Sequence, residues 1–264
     1  SQLLARKIIK DFKPHAAVGV GGYASGPTLK MAGMMGIPTL IQEQNSYAGV
    51  TNKLLAKKAR KICVAYDGME RFFEKDKIIL TGNPVRQGLR NHHISREDAI
   101  RSFGLDPSKK TILIVGGSLG ARTINNCVME GLDKIKTSGA QFIWQTGKIY
   151  IDEARAAVAQ AGELPMLHVT DFISDMAAAY SAADLIISRA GAGSISEFCL
   201  LQKPVILVPS PNVAEDHQTK NALALVNKNA ALYIKDAAAK EALLDKAVET
   251  VKQPETLKSL STNI

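Results

Sequence analysis

Two turns rich in glycine have the composition of a phosphate-binding loop. One lies in AAVGVGGYASG and the other in TILIVGGSLGAR, and each follows an apolar run and precedes a helical pattern. Glycines at such a turn let the backbone approach a ligand closely, and the helix that follows offers free N–H groups to an anion. The glycines concerned are Gly21, Gly22, Gly116, Gly117 and Gly120, and Ser118 adds a hydroxyl.

Neither turn has the GxGxxG spacing of a dinucleotide site, which disfavours a dehydrogenase. Each turn alone is also consistent with a tight connection between a strand and a helix. Two turns in matched positions predict a pair of nucleotide-type half-domains.

A carboxylate and an arginine flank a third turn of small residues, in DLIISRAGAGSISE. A strand is predicted to end at Ser188 and a helix to begin near Gly193, which would put Glu197 in the first turn of that helix. Glu197 then either complements the helix dipole or accepts hydrogen bonds from a ribose diol. Arg189 is either a structural ion-pair partner or a contact to a diphosphate. Its place at the carboxyl end of a strand, where ligands bind in parallel sheets, favours the contact.

Polar side chains follow two further strands without forming a metal-binding pattern. Gln218, in AEDHQTKNA, offers a neutral amide that suits sugar hydroxyls. Glu43 and Asn45, in IQEQNSYAG, cluster at a strand end, where Glu43 is the candidate general base and a buried structural network is the alternative. No set of cysteine, histidine and carboxylate completes a metal site, so we expect neither metal nor cofactor.

Short apolar runs alternate with helical patterns along the whole chain. This alternation predicts an α/β fold with parallel sheets covered on both faces. Ser95 and Asp98 predict a capped helix over 95–103, and a buried stripe predicts one helix over 120–136. The predicted strands are 16–20, 38–41, 61–65, 77–81, 111–115, 141–145, 166–170, 184–188, 204–208 and 230–234.

A domain boundary is predicted within GNPVRQGLRNHH, which contains glycine, proline and no apolar periodicity. Six predicted strands follow it and make a complete Rossmann-like domain over 85–264, whereas the four before it make an incomplete one over 1–84. Because the chain opens on a helix without a preceding strand, we expect the sequence to begin inside a domain.

The positive charge is concentrated in the first third of the chain. Residues 1–84 carry 13 Lys and Arg against 6 Asp and Glu, an excess of +7, whereas the whole chain has a net charge of +8. The charge predicts a face turned toward a polyanion, either an anionic membrane or nucleic acid, or else a solvated lysine-rich face. The aromatic content of 5% disfavours nucleic acid. Methionines 31, 34 and 35 next to lysines suit either a lipid-facing patch or the core.

Six motifs follow one another: GGYASGP, QEQNSYAGVTNKLLAKKA, TGNPVR, GGSLGAR, DFISDMAAAYSAADLIISRAGAGSISE and EDHQTKNA. In this order they resemble the MurG family of bacterial glycosyltransferases over essentially the whole chain. The resemblance implies a GT-B fold of two Rossmann-like domains with parallel sheets, of which the N-terminal one is incomplete here.

The activity implied is metal-independent, inverting transfer of N-acetylglucosamine (GlcNAc) from UDP-GlcNAc to the 4-hydroxyl of undecaprenyl-diphospho-MurNAc-pentapeptide. This is a step of peptidoglycan precursor synthesis. The implied location is peripheral, at the cytoplasmic face of the bacterial plasma (inner) membrane, and nucleic acid is not an expected partner. Residues 1–84 are then the remnant of an acceptor- and membrane-side domain, and 85–264 bind UDP-GlcNAc.

The same resemblance implies roles for individual residues. The backbone of Ile173 would contact uracil, Glu197 would hold the ribose and Gln218 would meet the GlcNAc hydroxyls. Ser118 would meet the phosphates, and Asn45 and Arg86 match donor-site positions. The segment expected to wrap the nucleotide consists of Gly191, Ala192, Gly193, Ser194, Ile195 and Ser196.

The chain departs from the family in one respect. The family has a further glycine-rich loop, ending in a histidine, near its N-terminus, and this sequence has none. We therefore expect the chain as given to bind UDP-GlcNAc without transferring the sugar. The alternatives are another GT-B enzyme acting on glycolipids, a UDP-GlcNAc epimerase, or a UDP-sugar-binding module without catalysis.

Overall fold

Each of the ten apolar runs contains a β-strand, and every strand pairing among the described residues is parallel. These observations come from a computed structural model that describes residues 2–91, 93–117 and 119–264, without the side chain of residue 214. The chain divides into two units, Ser1–Pro84 and Val85–Ile264. Among the described residues, no helix combines the length and the apolar character needed to cross a bilayer.

The first unit is a four-stranded sheet with strand order β1-β2-β3-β4. Its elements are α1 (Gln2–Phe12), β1 (Ala17–Gly19), α2 (Ser25–Met34), β2 (Thr39–Glu43), α3 (Val50–Ala56), β3 (Lys61–Val64) and β4 (Ile78–Leu80). The apolar side chains of Ile41, Ile62 and Val64 are buried on its strands and form a core with Leu29 and Met69. This sheet holds the first glycine-rich turn at the carboxyl end of β1.

The second unit is a six-stranded sheet flanked by helices. Its elements are α4 (Gln87–Arg90), α5 (Arg96–Ser102), β5 (Thr111–Val115), α6 (Arg122–Glu130), α7 (Leu132–Thr137), β6 (Gln141–Gln145), α8 (Ile151–Ala161), β7 (Leu167–Thr170), α9 (Met176–Ala182), β8 (Leu185–Ser188), α10 (Ala192–Leu200), β9 (Val205–Leu207), α11 (His217–Val226), β10 (Leu232–Tyr233), α12 (Ala239–Val251) and α13 (Pro254–Asn263).

The strand order of this sheet, β7-β6-β5-β8-β9-β10, is that of a Rossmann fold. The direction of the connections reverses between β5 and β8, and the carboxyl ends of these two neighbouring strands form the topological switch point. Ligands of doubly wound sheets bind at this point. The fold therefore brings together the second glycine-rich turn, after β5, and the small-residue turn after β8.

A buried hydrogen-bond network fixes α6 against the sheet beside this point. The indole Nε1 of Trp144 donates to Oδ1 of Asn125 at 2.9 Å, and Nδ2 of Asn125 donates to the carbonyl of Thr146 at 2.8 Å. All three residues are buried, so breaking the network would leave polar groups without partners in the core. The first turn of α6 is consequently held at a defined distance from the turn after β6.

The helix predicted over 120–136 is in fact two helices, α6 and α7, separated by Gly131. The predicted stripe is nevertheless buried. A Cβ atom at Gly131 would lie 2.2 Å from Cδ1 of Leu244 and 2.9 Å from the carbonyl of Cys127, so α12 approaches the backbone where the helix is interrupted. The cap predicted at Ser95 is confirmed, because its Oγ accepts a hydrogen bond from the N–H of Asp98 at 3.1 Å.

Candidate functional site

A cavity of about 710 Å³ lies in the second unit at the switch point. The turns after β5, β6, β8 and β9 and the first turns of α6, α10 and α11 contribute its walls. Its lining residues are Gly116, Gly117, Leu119, Gly120, Ala121, Arg122, Thr123, Tyr150, Ser188, Arg189, Gly191, Ser194, Ser210, Pro211, Asn212, Gln218 and Asp236. The sequence motifs singled out for a phosphate loop and a sugar-contacting amide therefore share one cavity.

The turn after β5 requires glycine for a steric reason. Gly120 has a φ of +79°, and a Cβ atom there would lie 2.1 Å from the carbonyl oxygen of Thr146. The turn after β6 is equally close, because a Cβ at Gly147 would lie 2.4 Å from the nitrogen of Gly120. The two turns thus touch through their backbones. Ser118, predicted to contact phosphate, lies outside the described residues.

The segment 191–196 lines the cavity in part. Gly191 and Ser194 face it, in keeping with an extended Gly191 that precedes the nine-residue helix α10. Ile195 is buried in the core, and Oγ of Ser196 donates to a carbonyl one turn earlier at 2.8 Å. The start of α10 therefore offers the cavity backbone N–H groups and one hydroxyl rather than six residues in a row.

Glu197 does not lie in the first turn of α10, and that prediction is wrong. The helix begins at Ala192, which places Glu197 in the second turn. Its carboxylate is 15% exposed, and its Oε1 accepts from Nη2 of Arg86 at 3.1 Å. Its Oε2 accepts from the hydroxyl of Tyr180 at 2.6 Å. Burial, followed by this hydrogen bond, raises the pKa of Tyr180, so the phenol remains a donor.

The guanidinium of Arg189 is engaged by the protein itself. Its Nη1 donates to the carbonyls of Val208 and Pro209 at 3.0 and 3.2 Å and forms an ion pair with Asp236. The remaining oxygen of Asp236 accepts from Oγ1 of Thr123 at 2.9 Å. Of the two alternatives for Arg189, these contacts favour the structural ion pair, although the residue does line the cavity.

The side-chain amide of Gln218, which lines the cavity, is held in one orientation. Its Oε1 accepts from the N–H of Ala190 at 3.2 Å and from that of Ser210 at 2.9 Å. Two backbone donors on one oxygen fix the orientation of the amide, so Nε2 is the donor that remains. Gln218 therefore joins the turns after β8 and β9 and supplies a hydrogen-bond donor at the cavity wall.

Ile173 lies in the connection between β7 and α9. Its side chain is buried, and Oγ1 of Thr170 donates to the carbonyl of Phe172 beside it at 3.0 Å. Asp175 caps α9 by accepting from the N–H of Ala178 at 2.9 Å. The anchored side chain and the cap hold the backbone of Ile173 in a fixed position. Ile173 is outside the set of residues that line the 710 Å³ cavity.

In the first unit, Glu43 is the centre of a buried network. The residue is 2% exposed. Its Oε1 accepts from the N–H of Asn45 at 3.1 Å, and its Oε2 accepts from the N–H of Gly49 at 3.1 Å and from Nδ2 of Asn52 at 2.8 Å. These contacts favour the structural alternative over the general base. Gly21 and Gly22 lie in the turn between β1 and α2, with φ angles of +90° and +78°.

Several residues of the site had no signal in the sequence. Tyr150 lines the cavity without belonging to a motif that we had interpreted, and Arg122 ends the GGSLGAR motif but had not been singled out. Asp236, between β10 and α12, holds Arg189, and Tyr180, on α9, holds Glu197. Among the described residues, no group of three or more histidine, cysteine, aspartate or glutamate side chains is placed to hold a metal ion.

Comparisons with known proteins agree with this architecture. Residues 111–263 match the model of the glycosyltransferase family 28 C-terminal domain, and residues 1–64 match that of the N-terminal domain. The chain is 98% identical over 264 residues to a UDP-N-acetylglucosamine–N-acetylmuramyl-(pentapeptide) pyrophosphoryl-undecaprenol N-acetylglucosamine transferase of Phocaeicola vulgatus. That alignment covers all of this chain and 70% of the relative. A protein of the same name from Bacteroides fragilis is 73% identical, with the same coverage.

Two solved structures illustrate the range of similarity. The crystal structure of MurG from Acinetobacter baumannii has a TM-score of 0.79 and 32% identity, and the match covers 99% of this chain and 72% of that one. A UDP-GlcNAc 2-epimerase from Neisseria meningitidis bound to UDP-GlcNAc has a TM-score of 0.70 at 14% identity, covering 98% and 74%. The second likeness shows a shared fold alone.

Proposed function

This chain belongs to glycosyltransferase family 28, and we propose that it transfers N-acetylglucosamine from UDP-GlcNAc to undecaprenyl-diphospho-muramoylpentapeptide. The observation that carries the proposal is its 98% identity, over all 264 residues, to a transferase named for that reaction. The donor and the lipid-linked acceptor are its substrates, and the reaction supplies a precursor of peptidoglycan.

The donor binds in the second unit. A nucleoside diphosphate fits the cavity at the switch point, because the glycine turn after β5 and the start of α10 both present backbone N–H groups there. Ser194 adds a hydroxyl. Gln218 adds its Nε2 as a donor, because the two backbone N–H groups occupy only its Oε1. In this assignment the phosphates lie against the turns and Gln218 meets the hydroxyls of the sugar.

The uridine half of the donor lies beyond the phosphate turns, toward Ile173 and Glu197. The anchored backbone of Ile173 is suited to pairing with the edge of uracil, and a carboxylate is the usual partner of a ribose diol. Glu197 keeps acceptor capacity for the diol, because each carboxylate oxygen has two lone-pair sites and accepts one hydrogen bond from the described residues. Arg86 donates a hydrogen bond to the same carboxylate and so lies next to the proposed ribose site.

The chemistry proposed is a single displacement with inversion and without a metal. The 4-hydroxyl of the muramoyl sugar attacks the anomeric carbon of GlcNAc, the bond to the diphosphate oxygen breaks, and UDP leaves. Negative charge grows on the leaving diphosphate. Backbone N–H groups and the positive end of α10 stabilise that charge without having to reorganise. A general base takes the proton of the attacking hydroxyl.

The acceptor side is assigned to the first unit. The turn containing Gly21 and Gly22 suits an anionic group of the acceptor in the same way that the turn after β5 suits the donor. Glu43 contributes by organising the loop 43–52, which presents Asn45. Because both of its oxygens already accept hydrogen bonds within this loop, the role that we propose for Glu43 is to position Asn45.

The first unit also carries the surface that we propose binds the cytoplasmic face of the membrane. A groove of about 520 Å³ is lined by apolar side chains together with Lys30, Lys57 and Lys58. Met34 is exposed, whereas Met31 is buried, so one of the methionines faces outward. The exposed apolar side chains of α1, α2, α3 and their connections include Leu3, Leu4, Ile8, Phe12, Val20, Tyr23, Met34, Val50 and Leu54. Apolar groups framed by lysines are typical of peripheral binding to anionic lipid.

Donor binding and transfer are tested separately. Calorimetry should show that the chain binds UDP-GlcNAc, with an affinity that is the same in EDTA and in Mg²⁺. Failure to bind UDP-GlcNAc would contradict the assignment of the donor site. Transfer of radiolabelled GlcNAc to a lipid-linked muramoylpentapeptide is measured in the same preparation. Transfer would support the proposal, whereas binding without transfer would agree with the expectation from the sequence that the chain as given only binds UDP-GlcNAc. Formation of N-acetylmannosamine derivatives would favour an epimerase instead.

A further inference from the structure

Two arginines line the donor cavity, and their surroundings differ. The side chain of Arg189 is 16% exposed, and its Nη1 already serves Val208, Pro209 and Asp236. Arg122, the first residue of α6, is exposed, and its guanidinium makes no hydrogen bond or ion pair with the described residues. These are the two cationic side chains among the described residues that line the cavity.

Releasing Arg189 to bind a ligand would be costly. Asp236 is 19% exposed, and without Arg189 its charge would keep only the hydroxyl of Thr123 as a hydrogen-bond partner among the described residues. Removing one member of a largely buried ion pair leaves an uncompensated charge, which is strongly unfavourable. Arg189 also ties the strand end at Ser188 to the carbonyls that follow β9, so its contacts build the wall of the cavity.

Arg122, in contrast, extends from a backbone that is held on two sides. The neighbouring Thr123 donates to Asp236 at 2.9 Å, and Asn125, one turn along, donates to the carbonyl of Thr146 at 2.8 Å. Arg122 follows Gly120 by two residues and therefore stands beside the turn whose backbone faces the phosphates. A guanidinium can bind phosphate oxygens through two parallel N–H bonds.

We propose that Arg122 contacts the diphosphate of the donor and stabilises the charge that develops on it, whereas Arg189 is a positioning residue held by Asp236. The proposal rests on the donor site described above and assigns the chemistry within it. The sequence alone had favoured Arg189 as the arginine that contacts the diphosphate, and the proposal assigns that contact to Arg122 instead. Because Arg122 is exposed before the ligand binds, its contribution should be screened by salt.

The test compares Arg122→Gln, Arg189→Gln and a matched control, Arg155→Gln. Arg155 is an exposed arginine of α8 that has no ion pair or hydrogen bond with the described residues, so its substitution removes the same charge away from the cavity. For each protein, affinities for UDP and for uridine are measured by competition against a fluorescent UDP derivative. Thermal unfolding is recorded without ligand.

We expect Arg122→Gln to weaken UDP binding by roughly 10- to 150-fold, the range for losing a hydrogen bond to a charged group. Its uridine affinity and melting temperature should equal those of Arg155→Gln. Arg189→Gln should melt at a lower temperature and lose affinity for UDP and uridine alike. The proposal is overturned if Arg122→Gln binds UDP as tightly as the control, or if Arg189→Gln loses UDP affinity selectively at an unchanged melting temperature. If the unsubstituted chain binds no UDP, it is the donor site itself that fails.

Discussion

The hydroxyl of Tyr180 lies 2.6 Å from Oε2 of Glu197 and donates a hydrogen bond to it, across the contact between α9 and α10. The ring of Tyr180 meets that of Phe198 edge to face, with 5.9 Å between centroids. Nη2 of Arg86 donates to the other oxygen of the carboxylate. Two donors from different elements therefore fix the plane of the carboxylate that is assigned to the ribose.

Tyr180→Phe should lower both stability and affinity for UDP. The substitution keeps the ring and its packing against Phe198 but removes the donor to a partly buried carboxylate, a bond worth about 1.5–3 kcal/mol. We expect the free energy of unfolding, from urea titration, to fall by about that amount. The control is Tyr233→Phe on β10, which removes a hydroxyl that has no hydrogen bond with the described residues. A Tyr180→Phe protein as stable as this control would show that the 2.6 Å contact contributes nothing.

Glu197→Gln should selectively remove recognition of the ribose diol. Because Glu197 also holds Tyr180 and Arg86, glutamine is a cleaner substitution than alanine, which would remove the group altogether. We expect UDP affinity to fall roughly 10- to 150-fold, since a charge-assisted contact is lost.

The diagnostic ligand for this prediction is UDP whose ribose lacks the 2′- and 3′-hydroxyls. The unsubstituted protein should prefer UDP over it, and Glu197→Gln should bind the two with nearly equal affinity. If the preference for UDP is retained in the variant, the diol is recognised elsewhere.

The free energy of unfolding should decline in alkaline solution because the buried thiol of Cys127 ionises there. Burial raises the pKa of this thiol from 9.0 to about 11, and the charges of Glu130 and Asp236 act in the same direction. The folded chain thus holds the proton more tightly than the unfolded chain. The resulting stabilisation is complete below about pH 9 and is lost as the pH rises through about 11.

Cys127→Ala is the comparison that isolates this effect, because other groups also titrate in alkali. Urea titrations between pH 8 and pH 11 should show a shallower decline in the variant than in the unsubstituted protein. Parallel pH profiles would contradict the link between the buried thiol and stability.

The strands were predictable because a parallel sheet buried on both faces needs continuous apolar runs, such as TILIV and QFIWQ. The two glycine turns were predictable because positive φ angles, as at Gly21, Gly22 and Gly120, favour glycine, and the turn after β5 also lies too close to another backbone for a side chain. The interruption of the helix at Gly131 was not, because it depends on Leu244, which arrives from a distant helix. The contacts of Arg189 depend in the same way on Asp236, 47 residues later. Local patterns thus specify elements and turns, whereas the partners of a charged side chain are set by the tertiary fold.

Binding to membranes should depend on the lysines that frame the groove of the first unit. Lys57→Glu/Lys58→Glu reverses two charges at its edge, whereas Lys252→Glu on the second unit, made together with Lys109→Glu, changes the net charge equally elsewhere. Each basic residue near an anionic surface contributes about 1 kcal/mol, so the groove variant should bind vesicles of anionic phospholipid much more weakly than the control. Sedimentation with vesicles measures the difference.

Because the Debye length falls from about 10 Å at 0.1 M salt to about 3 Å at 1 M, high salt should abolish most of the difference between the two variants. Equal binding to neutral and anionic vesicles would mean that the exposed apolar side chains act alone, and equal binding by the two variants would place the membrane surface elsewhere.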